Sequence, residues 1–467
     1  MNRFTSKIIK PTRFINSFNN SSCKCQYSSS SNNSQSIYPK NKNHLKNLPL
    51  PTANSFPKNE KINDYFQFEV VHQSSKSNAR VTKITTPHGI IETPNFVPVA
   101  TIGSIKFVDP VTTRQQNSQL MFVNTYHMIV NADLDTIEKA GGLHNFINYQ
   151  APIITDSGGF QVFSMGHPER HNTINEQDDS VTDVNDLVVS QSIEMTKREL
   201  KGMSGKKYPG SIESITDDGV IFRSYRTSSI IELGPQSSIQ YQKKLGADII
   251  IPFDELPPYH ISEEKVRESL HRTHHWEGQS LLEHLKDPRQ QAMYSVIHGG
   301  VNKEMRRESL EYLTSLPFDG VAIGGSIGKD RDEMNDLLSF LMPLVPRNKP
   351  NHLLGIGDLE SIIRSVPLGI DTFDSSYPTR SARHGSILLA QSNDRFLITK
   401  SEYKSQYDTP LDKSCDCPTC KNYSTAYIHH LYKSNEQIFY TLATQHNLRA
   451  MARIMENIRF KIQANEI

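Results

Sequence analysis

The chain is poor in cysteine and tryptophan, and it lacks any long apolar run. Its 467 residues include five cysteines and one tryptophan. None of the cysteines falls between Cys25 and Cys415. That gap excludes a disulfide-stapled secreted protein and points to a reducing compartment. No stretch approaches the ~18 consecutive apolar residues that a membrane-spanning helix needs. Acid is missing at one end only. Residues 1–59 carry nine Lys/Arg and eleven Ser, but no Asp or Glu. Taking those nine from the total of 51 leaves 42 basic residues against 50 acidic ones, a net charge of −8 for residues 60–467. A body this acidic can bind nucleic acid only through a local basic patch.

The first 59 residues read as a leader. Phe4, Ile8, Ile15 and Phe18 fall near one helical face, with Arg3, Lys7 and Lys10 beside it, and Pro11 limits that helix. A basic, Ser-rich, acid-free and amphipathic start is the composition of an organelle transit peptide, and it predicts a mitochondrial address with cleavage before about residue 60. A plain disordered tail and a cytoplasmic location are the alternatives.

From Phe66 the pattern changes. Phe66–Val71, Ala79–Ile84 and Ile90–Val97, with a turn at Thr86–Gly89, predict a small N-terminal antiparallel sheet. Eight short apolar runs follow, each ending in Asp, Asn, His or Gly. They are Phe96–Ala100, Leu120–His127, Pro152–Gly159, Asp248–Glu255, Met293–Gly300, Gly320–Gly325, His352–Asp358 and Ile370–Pro378. Apolar runs without alternation suit parallel strands buried on both faces. Helical spacing between them, as in Lys265–Leu285 and Asp330–Leu344, predicts a (β/α)₈ TIM barrel, with a doubly wound open sheet as the alternative. The gap between Gly159 and Asp248 is too long for one crossover, so an exposed insertion is expected at about 165–215.

Active sites of parallel barrels lie at the carboxyl ends of the strands. Asp156, Asp254 and Asp374 all fall there. One such Asp alone would suit a helix N-cap or a salt bridge. Several around one mouth suit chemistry at an anomeric carbon, where one carboxylate attacks and another handles a proton. Ser157-Gly158-Gly159-Phe160 offers close backbone approach and a stacking face, although Gly pairs also make plain turns and Phe160 could simply fill the core. Gly324-Gly325 repeats the Gly pair at another strand end. Thr379-Arg380-Ser381-Ala382-Arg383 places two arginines soon after Asp374, suited to phosphates or base edges, or to surface ion pairs. Cys415-x-Cys417-x-x-Cys420 suits a tetrahedral structural Zn²⁺ that needs a fourth ligand, with His429, His430 and His446 as candidates.

These residues resemble one family, the tRNA-guanine transglycosylases, also called queuine tRNA-ribosyltransferases. The resemblance rests on Asn124–His127 (NTYH), Ile154–Ser164 (ITDSGGFQVFS), Leu245–Ile249 (LGADI), Phe253–Glu255 (FDE), Pro317–Gly325 (PFDGVAIGG), Leu353–Gly357 (LLGIG) and Thr372–Gly385 (TFDSSYPTRSARHG), with the cysteine cluster and His446 behind them. It runs from about residue 66 to about 455. It implies a (β/α)₈ barrel with an inserted zinc subdomain, here at about 400–455. It also implies exchange of guanine at the anticodon wobble position of GUN-anticodon tRNAs for queuine, through a covalent tRNA–enzyme intermediate.

Residue by residue, the resemblance implies Asp374 as nucleophile and Asp156 as general acid/base. It implies base binding by Asp156, Ser157, Gly158, Gly159, Phe160, Asp254, His298 and Gly325. tRNA contacts would come from Gly355, Ile356, Gly357, Asp358, Leu359, Glu360 and Ser361, and from Thr379, Arg380, Ser381, Ala382 and Arg383. Cys415, Cys417, Cys420 and His446 would hold the Zn²⁺. A dimer, with itself or with a non-catalytic paralogue, is implied as well.

The sequence departs from the family at three residues and in a longer insertion between Gly159 and Asp248. His298 stands where a V-Q-G-G segment usually has Gln, Ser326 follows the Gly pair where Leu is usual, and Ser375 follows the nucleophile where Cys is frequent. The resemblance also implies that Gly328 lies on the pocket wall where users of a smaller aminomethyl-deazaguanine precursor tend to carry a larger apolar residue, which would favour queuine over that precursor. A non-catalytic partner subunit would be expected to lack a nucleophile. A glycoside hydrolase on a similar barrel would leave the cysteine cluster unexplained.

Overall fold

The computed structural model describes residue 45, residues 48–166 and residues 212–467 apart from 225, 258, 260, 392 and 393. The leader up to residue 44 and most of the insertion expected at 165–215 lie outside the described residues.

Eight strands form one parallel sheet: β1 (Asn95–Pro98), β2 (Met121–Val123), β3 (Ile153–Thr155), β4 (Ile249–Ile250), β5 (Ala292–Ile297), β6 (Gly320–Ile323), β7 (Asn351–Leu353) and β8 (Thr372–Ser375). Each pairs with its neighbour in sequence, and β8 pairs with β1 through Thr372–Asn95 and Asp374–Val97. A parallel bridge between Val99 and Phe122, with the Ala100 N–H donating to the Phe122 carbonyl at 2.7 Å, joins β1 to β2. The sheet thus closes on itself, which decides for the barrel over the open sheet. Each of the eight predicted runs overlaps a strand, and three of these strands begin one residue earlier than the run, at Asn95, Ala292 and Asn351. The strands are shorter than the runs because each carboxyl end bends into a loop, and those loops carry the polar residues.

The intervening helices start where the sequence supplies caps. Ser262, Asn302, Asp330 and Asp358 each accept a backbone N–H at the start of Glu263–Lys286, Lys303–Ser315, Arg331–Leu341 and Leu359–Ser365. Such caps satisfy donors that have no partner within the helix. The apolar faces behind them join the main core through residues such as Leu281, Leu310, Leu337 and Ile362.

The N-terminal antiparallel sheet pairs Gln67–Gln73, Arg80–Thr86 and Gly89–Thr93. The expected third stretch, Ile90–Val97, is divided between that sheet and β1. Pro94 stands at the break, lacking the N–H a continuous ladder would need. Phe66, Ile84 and Ile91 pack with Phe122, Ile154, Tyr294 and Ala322 of the barrel strands. They close the amino-terminal end of the barrel, opposite the carboxyl ends of its strands. At that end Asp248 accepts from His88 Nδ1 at 2.8 Å and His144 Nε2 at 3.0 Å, and the two rings stack at 3.4 Å. The Ile153 N–H donates to the same carboxylate. This clamp ties the turn of the N-terminal sheet to β3 and to the residue before β4.

Packing against the barrel reaches upstream of residue 60. The Leu45 N–H donates to Asp217 at 2.8 Å, Tyr312 donates to the Pro51 carbonyl, and Phe56 belongs to the core. After the expected insertion comes a three-stranded antiparallel sheet, Ile212–Thr216, Gly219–Arg223 and Ile230–Leu233, that the sequence pattern did not disclose. Beyond β8 and the helix Tyr377–Arg383, the chain forms a hairpin (Ser386–Leu389 with Asp394–Leu397) and the short helices Pro418–Asn422 and Thr425–Lys433. The long helix Ile438–Gln463 then runs back to the barrel, where Leu448, Met451, Ile454 and Ile458 enter the main core. No described helix is long and apolar enough to cross a membrane.

Candidate active site

The strand ends surround a pocket of about 630 Å³, counting its open mouth. Asp156, Ser157, Phe160, Asp254, Gly325, Gly355 and Asp374 line it, together with Phe122, Asn124, Gln161, Ile251, Leu256 and Leu354. Apolar walls with a few converging polar groups are the usual form of a site for a planar ligand. The structure therefore brings together all three carboxylates picked out from the strand ends.

Asp156 follows β3 directly and is almost fully buried. One carboxylate oxygen accepts from Asn124 Nδ2 at 2.7 Å and Gln161 Nε2 at 3.0 Å, the other from the N–H groups of Thr125 and Gly158. Burial disfavours its charged form and these four donors favour it. Burial wins, and the pKa rises from 3.8 to about 6. A carboxyl poised there can give and take a proton near neutrality.

Asp254 is held from two sides. Ser157 Oγ donates to one oxygen at 2.9 Å, and His298 Nε2 lies 2.8 Å from the other. His298 is buried behind Asp254 and does not line the pocket, so it supports the Asp254 carboxylate rather than facing a ligand directly. Its Nδ1 would lie 2.8 Å from a side-chain carbon at Gly325, whose φ of +77° also requires glycine. Gly158 and Gly159 act through the backbone of the same turn, and a side chain at Gly159 would meet the Asp254 carbonyl at 2.7 Å.

Arg306 was not picked out from the sequence. It is fully buried and donates to the carbonyls of Ile297, Gly300, Gly324 and Ser326. It fastens the loop after β5 to the loop after β6, which carries Gly325. Burial draws its pKa down to about 9.

Asp374 lies at the end of β8, 1 % exposed. Its Oδ1 accepts the Gly355 N–H at 2.7 Å and lies 3.0 Å from His352 Nε2. In the segment Gly355–Ser361, only Gly355 lines the pocket. Ile356, Leu359 and Ser361 are buried, and Asp358 caps its helix and pairs with Arg331 at 3.1 Å. A side chain at Gly357 would strike Phe96 and Ser375 at 2.7 Å. Glu360 is exposed and pairs with Arg331 and Arg364. In the second segment Thr379, Ser381 and Ala382 are buried, whereas Arg380 and Arg383 are partly exposed. Of the residues expected to contact tRNA, Gly355 lines the pocket, and Glu360, Arg380 and Arg383 have side chains at least partly exposed. Gly328 does not line the pocket. Its φ is +146°, and a side chain there would meet the Met334 N–H nitrogen at 2.8 Å. A larger residue would strain its own loop, so the position is not a direct wall against a bulkier base.

Cys415, Cys417, Cys420 and His446 offer ligand atoms that all lie within 4.8 Å of one another. His446 Nδ1 is 3.2 Å from Cys420 Sγ and 3.6 Å from Cys417 Sγ. Tetrahedral zinc with thiolate and imidazole ligands would place such atoms about 3.5 Å apart. His446 Nε2 donates to the Leu388 carbonyl at 2.8 Å, leaving Nδ1 as the ligating nitrogen. The donor set therefore fits a metal ion. The other two histidines do not join it: His429 bonds the Ile398 carbonyl and His430 is exposed.

The sequence model of the queuine tRNA-ribosyltransferase family matches residues 74–197 and 200–467. The chain belongs to this family. It is 53 % identical over 413 residues to the queuine tRNA-ribosyltransferase of Protochlamydia amoebophila (strain UWE25), covering 88 % of this chain and 99 % of that protein. The enzymes of the same name from Chlamydia felis and Chlamydia pneumoniae are 46 % and 44 % identical over 402 residues, covering 86 % of this chain and 99 % of each relative. These relatives are bacterial, which overturns the mitochondrial address expected from residues 1–59. Low acid and abundant Ser and Lys describe many extended tails, and this composition does not encode a destination.

Proposed function

We propose that the protein exchanges guanine at the first anticodon position of GUN-anticodon tRNAs for queuine. The observation that carries this reading is the pair Asp374 and Asp156 on one pocket, the first with an unengaged oxygen and the second with a pKa near neutrality. Asp374 attacks C1′ of the wobble nucleotide while Asp156 delivers a proton to the departing guanine. Asp156 then takes the proton of the incoming base as that base attacks C1′. Phe160 stacks on the base, Asp254 reads its polar edge and Gly325 supplies backbone contacts. Arg380 and Arg383 give the acidic body its local basic contact with the anticodon loop. Cys415, Cys417, Cys420 and His446 hold one Zn²⁺, which supplies folding energy and takes no part in the reaction. The chain works as a dimer, with itself or with a non-catalytic paralogue, and native mass measurement decides which.

The relatives' name supports queuine as the incoming base. The test is release of labelled guanine from tRNA, with queuine and the aminomethyl-deazaguanine precursor in competition. Faster release by queuine is expected. Preference for the precursor would reverse the choice of base, and no release by either would reverse the reading.

A further inference from the structure

The two oxygens of Asp374 have different surroundings. Oδ1 is engaged by the Gly355 N–H and by His352 Nε2. Oδ2 makes no hydrogen bond among the described residues, and Asp374 faces the pocket. His352 is fully buried on β7, out of reach of any nucleotide. Its Nδ1 lies 2.8 Å from Thr372 Oγ1, which sits two residues before Asp374 on β8 and so on the same side of the strand. The Phe122 ring lies nearly parallel to the imidazole, with centroids 6.2 Å apart.

We propose that His352, oriented by Thr372, is a positioning residue that keeps Oδ1 engaged, selects Oδ2 as the attacking atom and eases the release of Asp374 from the covalent intermediate. The inference rests on Asp374 being the nucleophile. A carboxylate only accepts hydrogen bonds, so Nε2 must carry a proton, while Nδ1 meets Thr372 Oγ1, which also bonds the Asn351 carbonyl at 3.0 Å. In the first half-reaction the C1′–N9 bond of the guanosine breaks and C1′–Oδ2 forms. Guanine leaves with the electron pair and takes the proton of Asp156. In the second, N9 of the incoming base yields its proton to Asp156 and attacks C1′, and the C1′–Oδ2 electron pair returns to the carboxylate. Oδ1 is an ester carbonyl in the intermediate and part of an anion afterwards. The hydrogen bond from His352 strengthens as that charge develops, so it favours breakdown of the intermediate over its formation.

The experiment measures single-turnover formation of the tRNA adduct and its decay on adding labelled guanine, for the wild type, His352→Phe, His352→Gln and Thr372→Val. In His352→Phe, decay relative to formation should fall by about tenfold or more, the value of a hydrogen bond to a charged group, and the adduct should accumulate. His352→Gln keeps an N–H donor and should recover most of the ratio, and Thr372→Val should lower it by a smaller factor. An unchanged ratio, or equal slowing of both steps with no recovery in His352→Gln, would overturn the inference. Should His352→Phe fail to fold by circular dichroism, the Thr372→Val ratio decides in the same way. The nucleophile assignment is tested apart, by adduct formation in Asp374→Asn, because the partition ratio is read only in chains that keep Asp374.

Discussion

Asn447 donates from Nδ2 to the Pro378 carbonyl at 3.0 Å, joining the helix that carries His446 to the helix that follows Asp374. The same side chain donates to Ser386 and accepts from Leu388, and it is fully buried. Ala382 of the helix after Asp374 packs into the core that contains the three cysteines. The cluster of Cys415, Cys417, Cys420 and His446 thus supports the segment bearing Arg380 and Arg383, although it stands outside the pocket.

Removal of the metal should therefore act through the fold. Cys417→Ser is expected to lose bound zinc and to lower the denaturant midpoint, because formation of such a site is coupled to folding. Asn447→Ala should keep the metal but cost about 3 kcal/mol, since three buried hydrogen bonds go at once. Metal analysis and urea unfolding separate the two outcomes. Full zinc occupancy in Cys417→Ser would contradict the ligand set.

Asp156 predicts a pH dependence of the first chemical step. Its folded pKa of about 6 means that the proton needed by departing guanine is present below that pH and lost above it. Adduct formation should slow as pH rises through about 6. Gln161→Leu removes a donor that favours the charged form, so the midpoint should move upward. The sign for stability follows from the same shift. The folded value lies above the unfolded 3.8, so ionisation of Asp156 costs the fold up to about 3 kcal/mol, a cost that develops between about pH 4 and pH 6. A pH-independent rate of adduct formation would contradict this assignment.

Asp254 is fixed by Ser157 and His298, and loosening it should act on base binding. His298→Ala is expected to raise KM for the incoming base by about tenfold with a smaller change in kcat, by loss of one hydrogen bond to a charged group. Asp254→Ala should raise it further. Equal losses in kcat from both variants would place Asp254 in the chemistry rather than in base recognition.

The barrel was legible because its eight apolar runs needed only local reading, and the three Asp residues were legible because they end those runs. What the sequence hid depends on contacts between runs. His352 heads a strand run that reads as apolar, and its role exists only because β7 lies beside β8. Arg306 sits on a helix whose sequence looks solvent-facing, yet its acceptors are backbone carbonyls that leave no mark in a residue pattern. The sheet Ile212–Leu233 was missed because its strands are short and half exposed. Within the family motifs, Asn124 and Gln161 carried a signal as the polar residues around Asp156, but their geometry required the fold.

During exchange Asp374 is expected to become covalently joined to tRNA. The direct measurement is peptide mapping by mass spectrometry of the adduct trapped with a GUN-anticodon tRNA, alongside labelled-guanine exchange by Asp374→Ala. The expected result is a nucleoside-modified peptide with the modification on Asp374, and no exchange by the variant. Exchange retained in Asp374→Ala, or an adduct mapped to another residue, would place the nucleophile elsewhere.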